Sequence, residues 1–158
     1  GFFWVINPRE HARAGGPTPF ANLPRGGANP PRRKAAGEIT ATLDRLWSAL
    51  GPLKPNAAII TGATGAAPAT AEERAFLDKH RDIPVRATGT AFGHLMEAQF
   101  PLGIALAALS IARGALFPPN DPAGVEIATA AAPPQIAVIG AGHWRGEGMA
   151  LVEAVSEA

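Results

Sequence analysis

The chain of 158 residues contains no cysteine. It can therefore form no disulfide bond, no thiolate-ligated zinc site and no thiolate nucleophile of its own. Histidine is scarce, with four residues, and no pair of histidines has metal-ligand spacing supported by carboxylates. We therefore expect no metal, and any thiol chemistry must take its nucleophile from elsewhere.

Long apolar runs and an excess of one charge are missing as well. The longest apolar run, residues 100–112, is interrupted near its start by Pro101 and Gly103 and is too short to cross a bilayer, so it predicts a core helix. No basic segment precedes the apolar FFWVI at 2–6, so we predict no signal peptide and expect a cytoplasmic protein. A formal net charge of +1 provides no long-range field to recruit nucleic acid or an anionic membrane.

What the sequence does contain is the composition of a folded domain. Hydrophobic residues make up 47% and charged residues 17% of a length that suits a single domain over residues 1–158. The chain starts at Gly1, and the core-strand pattern of FFWVI follows at once. From this abrupt start we expect that further chain normally precedes it.

The apolar pattern alternates between strands and helices. Helical spacing predicts a helix over 37–50, and Thr70 with Glu73 forms a capping box that starts a second helix reaching about residue 80. Strands are predicted at 2–6, 57–61, 83–87, 135–139 and 149–155, with a short one also compatible with 20–23, and the apolar helix runs over 100–113. This order predicts an α/β fold, with a mixed, mainly parallel sheet, helices on both faces and an antiparallel final pair.

The most informative motif lies in residues 88–119. The pair Gly93–His94 precedes the apolar helix, which ends in Arg-Gly at 113–114 and is followed by Pro-Pro at 118–119. A histidine at a helix N-terminus is placed to act on a developing anion. The segment resembles the β-ketoacyl synthases of the thiolase-like fold, in which a catalytic His follows Gly before a buried helix with the same ending.

The resemblance extends over nearly the whole chain and is to the C-terminal half of such an enzyme. It includes PREHARAGG at 8–16, TAEERAF at 70–76 and the Gly-rich hairpin IAVIGAGHWRGEGMALVEAV at 136–155. It implies acyl transfer and decarboxylative Claisen condensation in fatty acid or polyketide biosynthesis, with no cofactor. It also implies a Cys nucleophile from the N-terminal half, an acyl carrier protein as partner, and a dimer or pseudo-dimer in which the apolar helix is a central, buried layer.

Several of the family's site positions are changed. Thr61 stands at the position of the first His, and Gly89 at that of the Lys which positions the second His. The family's Gly-Ala-Ala-Gly run after the His is replaced by Glu97-Ala98-Gln99-Phe100. The family's Gly-rich turn lacks its phenylalanine here, and the resemblance implies that Gly140 and Gly142 of this turn contact the substrate. His94 remains as the candidate catalytic residue.

Two functions from different classes follow from these changes. One is a non-catalytic subunit, similar to the chain-length factors that pair with active ketosynthases and shape the tunnel for the acyl chain. The other is an active condensing enzyme whose Cys comes from another segment, with His94 as acid or hydrogen-bond donor. In the favoured reading the chain is not catalytic alone, and its partner is an N-terminal half or a ketosynthase polypeptide.

The remaining features allow alternatives of their own. Thr-Gly-Ala-Thr-Gly at 61–65 after a strand resembles the nucleotide loop of short-chain dehydrogenases, but Pro68 replaces the third glycine and the chain has no tyrosine for their Tyr-x-x-x-Lys pair. The basic cluster at 32–34 is interpreted as a solvated linker or as a contact for the acidic surface of the carrier protein. It has no neighbouring aromatic residues on which bases could stack, which argues against nucleic-acid binding. The other histidines are interpreted as surface or cavity-mouth residues: His11, His80 and His143.

Overall fold

The computed structural model describes residues 22–28, 35–121, 123–129, 131–142 and 146–155. The predicted strand at 2–6, the first two residues of the one at 20–23, the basic cluster at 32–34, His11 and His143 lie outside the described residues. No helix within these ranges is both long enough and apolar enough to cross a membrane.

The described elements alternate between strands and helices as predicted. In chain order they are β1 (Asn22–Ala28), α1 (Glu38–Leu50), β2 (Ala58–Thr61), α2 (Ala69–Leu77), a 3₁₀ turn (Asp78–His80), β3 (Val85–Ala87), α3 (Thr88–Phe92), a second 3₁₀ turn (Met96–Ala98), α4 (Gln99–Arg113), β4 (Gln135–Gly140) and β5 (Gly148–Glu153). The short helix α3 was not predicted, because its sequence TGTAF has no apolar periodicity.

The five strands form one mixed sheet in the order β1-β5-β4-β2-β3. Strand β2 runs parallel to both β3 and β4, whereas β5 is antiparallel to β4 and to β1. The parallel crossovers and the antiparallel closing pair are therefore confirmed. So are the helices on both faces, since α1 and α2 pack on one face and α4 packs on the other.

The central strands are apolar along most of their length, as expected for strands that are buried on both faces. In β2, Ile59 packs in the cluster with α1 and α2, while the next residue, Ile60, packs against α4. Strand β4 repeats the alternation, with Ile139 on the first face and Val138 on the second. The period of two along each strand thus links both helical layers to one sheet.

The predicted capping box at the start of α2 is wrong. Pro68 precedes the helix and no side chain caps it, while Thr70 lies buried in the first turn. The neighbouring carboxylate, Glu72, instead caps α1: it accepts the N–H groups of Gly37 at 2.9 Å and Ile39 at 2.9 Å. The N-terminus of α1 is therefore capped by a tertiary contact from α2, while no side chain caps α2 itself.

Two further environments differ from expectation. His80 is half-buried rather than a surface residue, because its ring stacks 4.4 Å from Trp47 and 4.9 Å from Phe76 (centroid distances), and this burial lowers its pKa. Helix α4 covers the sheet with Gly103 and Ala107, but its other side leaves Leu109 46% exposed. The described residues supply a layer on one side of α4 only, so the expected cover on every side is not complete in this chain.

Candidate functional site

The carboxyl ends of three parallel strands meet at one edge of the sheet. Thr61, the last residue of β2, pairs with Ala87 of β3 and with Ile139 of β4, so Thr88 and Gly140 follow at the same level. In open α/β sheets, ligands bind outside the carboxyl ends of the strands. This edge therefore brings together Thr61 and Gly140, two of the residues that the resemblance singles out.

Thr61 is buried and its hydroxyl is already bonded. The side chain is 1% exposed, and the hydroxyl donates a short hydrogen bond to the carboxylate of Glu73 in α2. Glu73 is 3% exposed, and burial raises its pKa to about 7, against the opposing effect of the Thr61 hydrogen bond. The position predicted to match the family's first His thus carries a neutral hydroxyl that faces an internal carboxyl group.

Gly89, which is predicted to stand at the position of the family's lysine, has no room for a side chain. A Cβ atom there would lie 2.4 Å from the carbonyl oxygen of Gly62 and 2.6 Å from that of Ala63. Two peptide groups therefore pack directly against the Gly89 backbone. A lysine at this position would require the loop after β2 to move.

A buried hydrogen-bond chain crosses the same edge. The hydroxyl of Thr88 donates a hydrogen bond to the carbonyl oxygen of Thr61 at 3.1 Å and accepts one from the side-chain amide nitrogen of Gln99 at 2.6 Å. The amide oxygen of Gln99 in turn accepts the N–H of Leu95 at 3.0 Å. All groups in this series of hydrogen bonds are neutral, so the series fixes the positions of these residues without supplying charge.

His94 lies on an exposed loop at this edge, between α3 and the second 3₁₀ turn. That turn, Met96–Ala98, separates the histidine from the first residue of α4, so His94 does not occupy the N-terminus of the apolar helix as expected. Its neighbour Leu95 is the residue held by Gln99. The loop is therefore tied to the Thr61 edge, while His94 itself is exposed.

Phe100 covers the glycines at the end of the closing strand pair. Its ring lies 3.0 Å from the point where a Cβ atom would stand on Gly140, and 3.5 Å from the corresponding point on Gly148. Gly142 lies two residues beyond Gly140 in the half-buried start of the hairpin loop. The Phe100 ring thus occupies the space above this end of the strand pair, at a position where the resemblance predicts a small residue.

Comparison with known proteins identifies this architecture. No family model matches the sequence, and no curated protein does either. Among solved structures, ketosynthase twelve of the bacillaene polyketide synthase of Bacillus amyloliquefaciens matches with a TM-score of 0.70 at 16% identity, over 94% of this chain and 33% of its own. The ishigamide ketosynthase/chain length factor matches with a TM-score of 0.74 at 19% identity, over 94% and 41% of the two chains. The chain has a ketosynthase fold.

This ketosynthase-like chain spans less than half of the chains that it resembles. An oxazolomycin ketosynthase domain from Streptomyces albus matches with a TM-score of 0.66 at 19% identity, over 94% of this chain and 48% of its own. The predicted resemblance to the thiolase-like ketosynthases is thereby confirmed at the level of fold. The roles assigned to His94, Thr61, Gly140 and Gly142 stay predictions.

The described ranges of the ketosynthase-like chain contain no group of three or more metal-ligating side chains. A pocket of about 370 Å³ beside β3 is lined by charged residues, but Arg74 there bonds to the carbonyl oxygen of Gly124 at 2.7 Å and Arg81 pairs with Asp78 at 2.9 Å. These charges are engaged in holding the local structure.

Two residues of the edge were missed as site residues by sequence reasoning. Glu73 was assigned to a capping box, and Gln99 appeared only as part of an altered run. A signal existed for Gln99, because a single amide at the start of an otherwise apolar helix must find polar partners once it is buried. No sequence signal shows that Glu73 turns toward Thr61, since that depends on how α2 packs on β2.

Proposed function

We propose that the chain is the C-terminal half or a subunit of a divergent β-ketoacyl synthase-like protein in fatty acid or polyketide biosynthesis, and that it is not catalytic alone. In this role it resembles a chain-length factor, which shapes the space for an acyl chain beside an active partner. The observation that carries the proposal is the buried bond between Thr61 and Glu73.

The chemistry of decarboxylation argues for the non-catalytic role. Stabilising an enolate and the malonyl carboxylate requires preorganised donors, preferably charged, aimed at the developing negative charge. Thr61 is neutral and its hydroxyl proton is directed to Glu73, which is itself an acceptor when ionised. Gly89 supplies no charge either, and its backbone packing leaves no space for one.

The partner that we propose is a polypeptide or segment carrying the N-terminal half, with an acyl carrier protein delivering the chain. The exposed apolar side of α4, with Leu109 46% exposed, supports cover by another layer of protein. The length of the solved ketosynthase chains supports the same view, since this chain covers 33% to 48% of them. The assembled form is then a dimer or pseudo-dimer.

A second candidate, an active condensing enzyme with Cys from another segment, is favoured by His94. The residue is retained after Gly93, and its loop is anchored to the Thr61 edge through Leu95 and Gln99. An exposed imidazole at that edge is accessible to a substrate brought by a partner. In this case His94 donates a proton or hydrogen bond during condensation.

The substitution His94→Ala in the assembled protein separates the two candidates. For a shaping subunit we expect condensation by the partner to keep its rate within about twofold, because an exposed side chain that contacts no substrate contributes little. Condensation, acyl loading onto the partner's Cys and product length are measured for both proteins. Loss of condensation by about a hundredfold or more, with loading retained, would instead establish the condensing enzyme.

A further inference from the structure

Gln99 is a buried amide that joins three elements at the edge of the sheet. The side chain is 8% exposed, its nitrogen donates to Thr88 and its oxygen accepts from the backbone of Leu95. The orientation of the amide is determined by its partners: the Leu95 N–H can only donate, so it must meet the amide oxygen. The hydroxyl of Thr88 then donates its hydrogen bond to the Thr61 carbonyl, which can only accept.

The loop that Gln99 holds has an unusual backbone. Gly93 has φ of 72° and Met96 has φ of 51°, so two left-handed residues lie within four positions. For Met96 this region is unfavourable because of its Cβ atom, and such a conformation persists only where surrounding contacts enforce it. The Gln99 bond to Leu95 is one such contact, and it lies between the two left-handed residues.

The sequence leaves space for the Gln99 side chain at Gly62. A Cβ atom at Gly62 would lie 2.9 Å from Cγ of Gln99, closer than carbon atoms approach without a shift. Gly62 directly follows Thr61 at the end of β2. The absence of a side chain at this position therefore allows the glutamine stem to pass over the strand end and reach both of its partners.

From these contacts we propose that Gln99 is a positioning residue for His94, fixing the loop that carries the imidazole relative to the Thr61 edge. Gln99 does so by accepting the N–H of the residue after His94, while Thr88 and the Thr61 carbonyl hold the amide in place. This proposal rests on the proposed function only for the group that the imidazole contacts in the assembled protein. Its test measures backbone exchange at Leu95 and the ring resonances of His94, so the positioning role can fail while the His94→Ala assay succeeds, and the reverse.

The test compares the full wild-type chain with Gln99→Met, which keeps the volume of the side chain but removes both hydrogen bonds. We expect the amide hydrogen-exchange rate of Leu95 to rise about fivefold or more, because the variant loses the hydrogen bond that protects this amide, and we expect the ring resonances of His94 to shift. A matched control is Gln135→Met. Gln135 is 4% exposed and accepts the Lys54 N–H at 2.9 Å at the other end of the sheet, so its loss should affect Lys54 and leave Leu95 and His94 unchanged.

Two more variants keep the proposal falsifiable if Gln99→Met fails to fold. Gly62→Ala displaces the glutamine stem without removing its amide, and it should raise Leu95 exchange in the same direction. Gln99→Glu retains an oxygen that accepts the Leu95 N–H, and it should preserve most of the protection. Leu95 exchange and His94 resonances that match the wild type in folded Gln99→Met or Gly62→Ala would overturn the positioning role.

Discussion

At the scale of single residues, the buried Thr61–Glu73 pair distinguishes this chain from a site built around a charged histidine. A buried carboxyl group resists ionisation, and a single hydroxyl donor offsets only part of that cost. The folded protein therefore holds a proton on Glu73 at pH values where the unfolded chain has released it. The pair therefore contributes a pH dependence to folding.

The sign of that dependence follows from linkage. The pKa of Glu73 is raised from 4.5 to about 7, so the folded state binds more protons than the unfolded state between these values. We expect the free energy of unfolding to fall by about 3 kcal/mol as the pH rises from 4.5 to 7. Chemical unfolding curves at a series of pH values measure this slope.

Glu73→Gln should flatten this part of the profile, because an amide keeps a partner for Thr61 but does not titrate. Asp78→Asn is the control, since its side chain is 48% exposed and lies outside the buried pair. A Glu73→Gln profile with the same slope as the wild type would show that the proton is held by a different group.

At the scale of elements, helix α1 depends on α2 for its N-terminal cap. Gly37 provides no side chain, and Glu72 accepts the backbone N–H groups of Gly37, Ile39 and Thr40 at 2.9 to 3.1 Å. The carboxylate also suits the partial positive charge of a helix N-terminus. The two helices on this face of the sheet are thus joined by a charged hydrogen-bond cluster as well as by apolar packing.

Replacing Glu72 by Ala should destabilise the protein by about 1 to 3 kcal/mol, since it leaves half-buried N–H groups without their acceptor. Denaturant unfolding at constant pH provides the measurement. Ser48→Ala on the same helix is the control, because its exposed hydroxyl returns only to the Asp44 carbonyl at 2.9 Å, and its effect should stay within about 0.5 kcal/mol. Equal effects of the two substitutions would contradict the cap.

The sequence was sufficient for the types of most elements, and less so for their ends and contacts. Helix α1 and strands β2 and β4 were predicted within one residue, because apolar periodicity marks burial directly. Glu73 was predicted to cap its own helix, whereas it meets Thr61, and Glu72 caps α1 without having been predicted to do so. Adjacent residues on a helix point in different directions, and only tertiary packing decides which partner each one meets. His80 was misjudged for the same reason, because Trp47 approaches it from another helix.

At the scale of the whole molecule, α4 has two different faces. Gly103 and Ala107 let the helix lie close to β2 and β4, and Leu106 packs partly against the same cluster. Leu109 faces away from the sheet. Under the proposed function, a second layer of protein covers this exposed side in the assembled form.

This arrangement predicts different effects for two neighbouring leucines. Leu106→Asp places a charge against the apolar cluster, so we expect it to abolish soluble expression of the chain. Leu109→Asp changes a side chain that is 46% exposed, so the isolated chain should keep its stability within about 0.5 kcal/mol. In the assembled form the same charge would be buried without a partner, and co-purification with the polypeptide carrying the N-terminal half should fall about tenfold or more.

Co-expression of the chain with that polypeptide, followed by affinity capture and light scattering, measures both effects. Leu109→Lys extends the test, since a charge of either sign is costly in an apolar interface. Retained capture of both Leu109 variants at wild-type levels would contradict cover of this face by the partner. A stable, monodisperse 16.2 kDa monomer of the wild-type chain, even with the partner present, would contradict the assembly itself and with it the shaping role proposed for this chain.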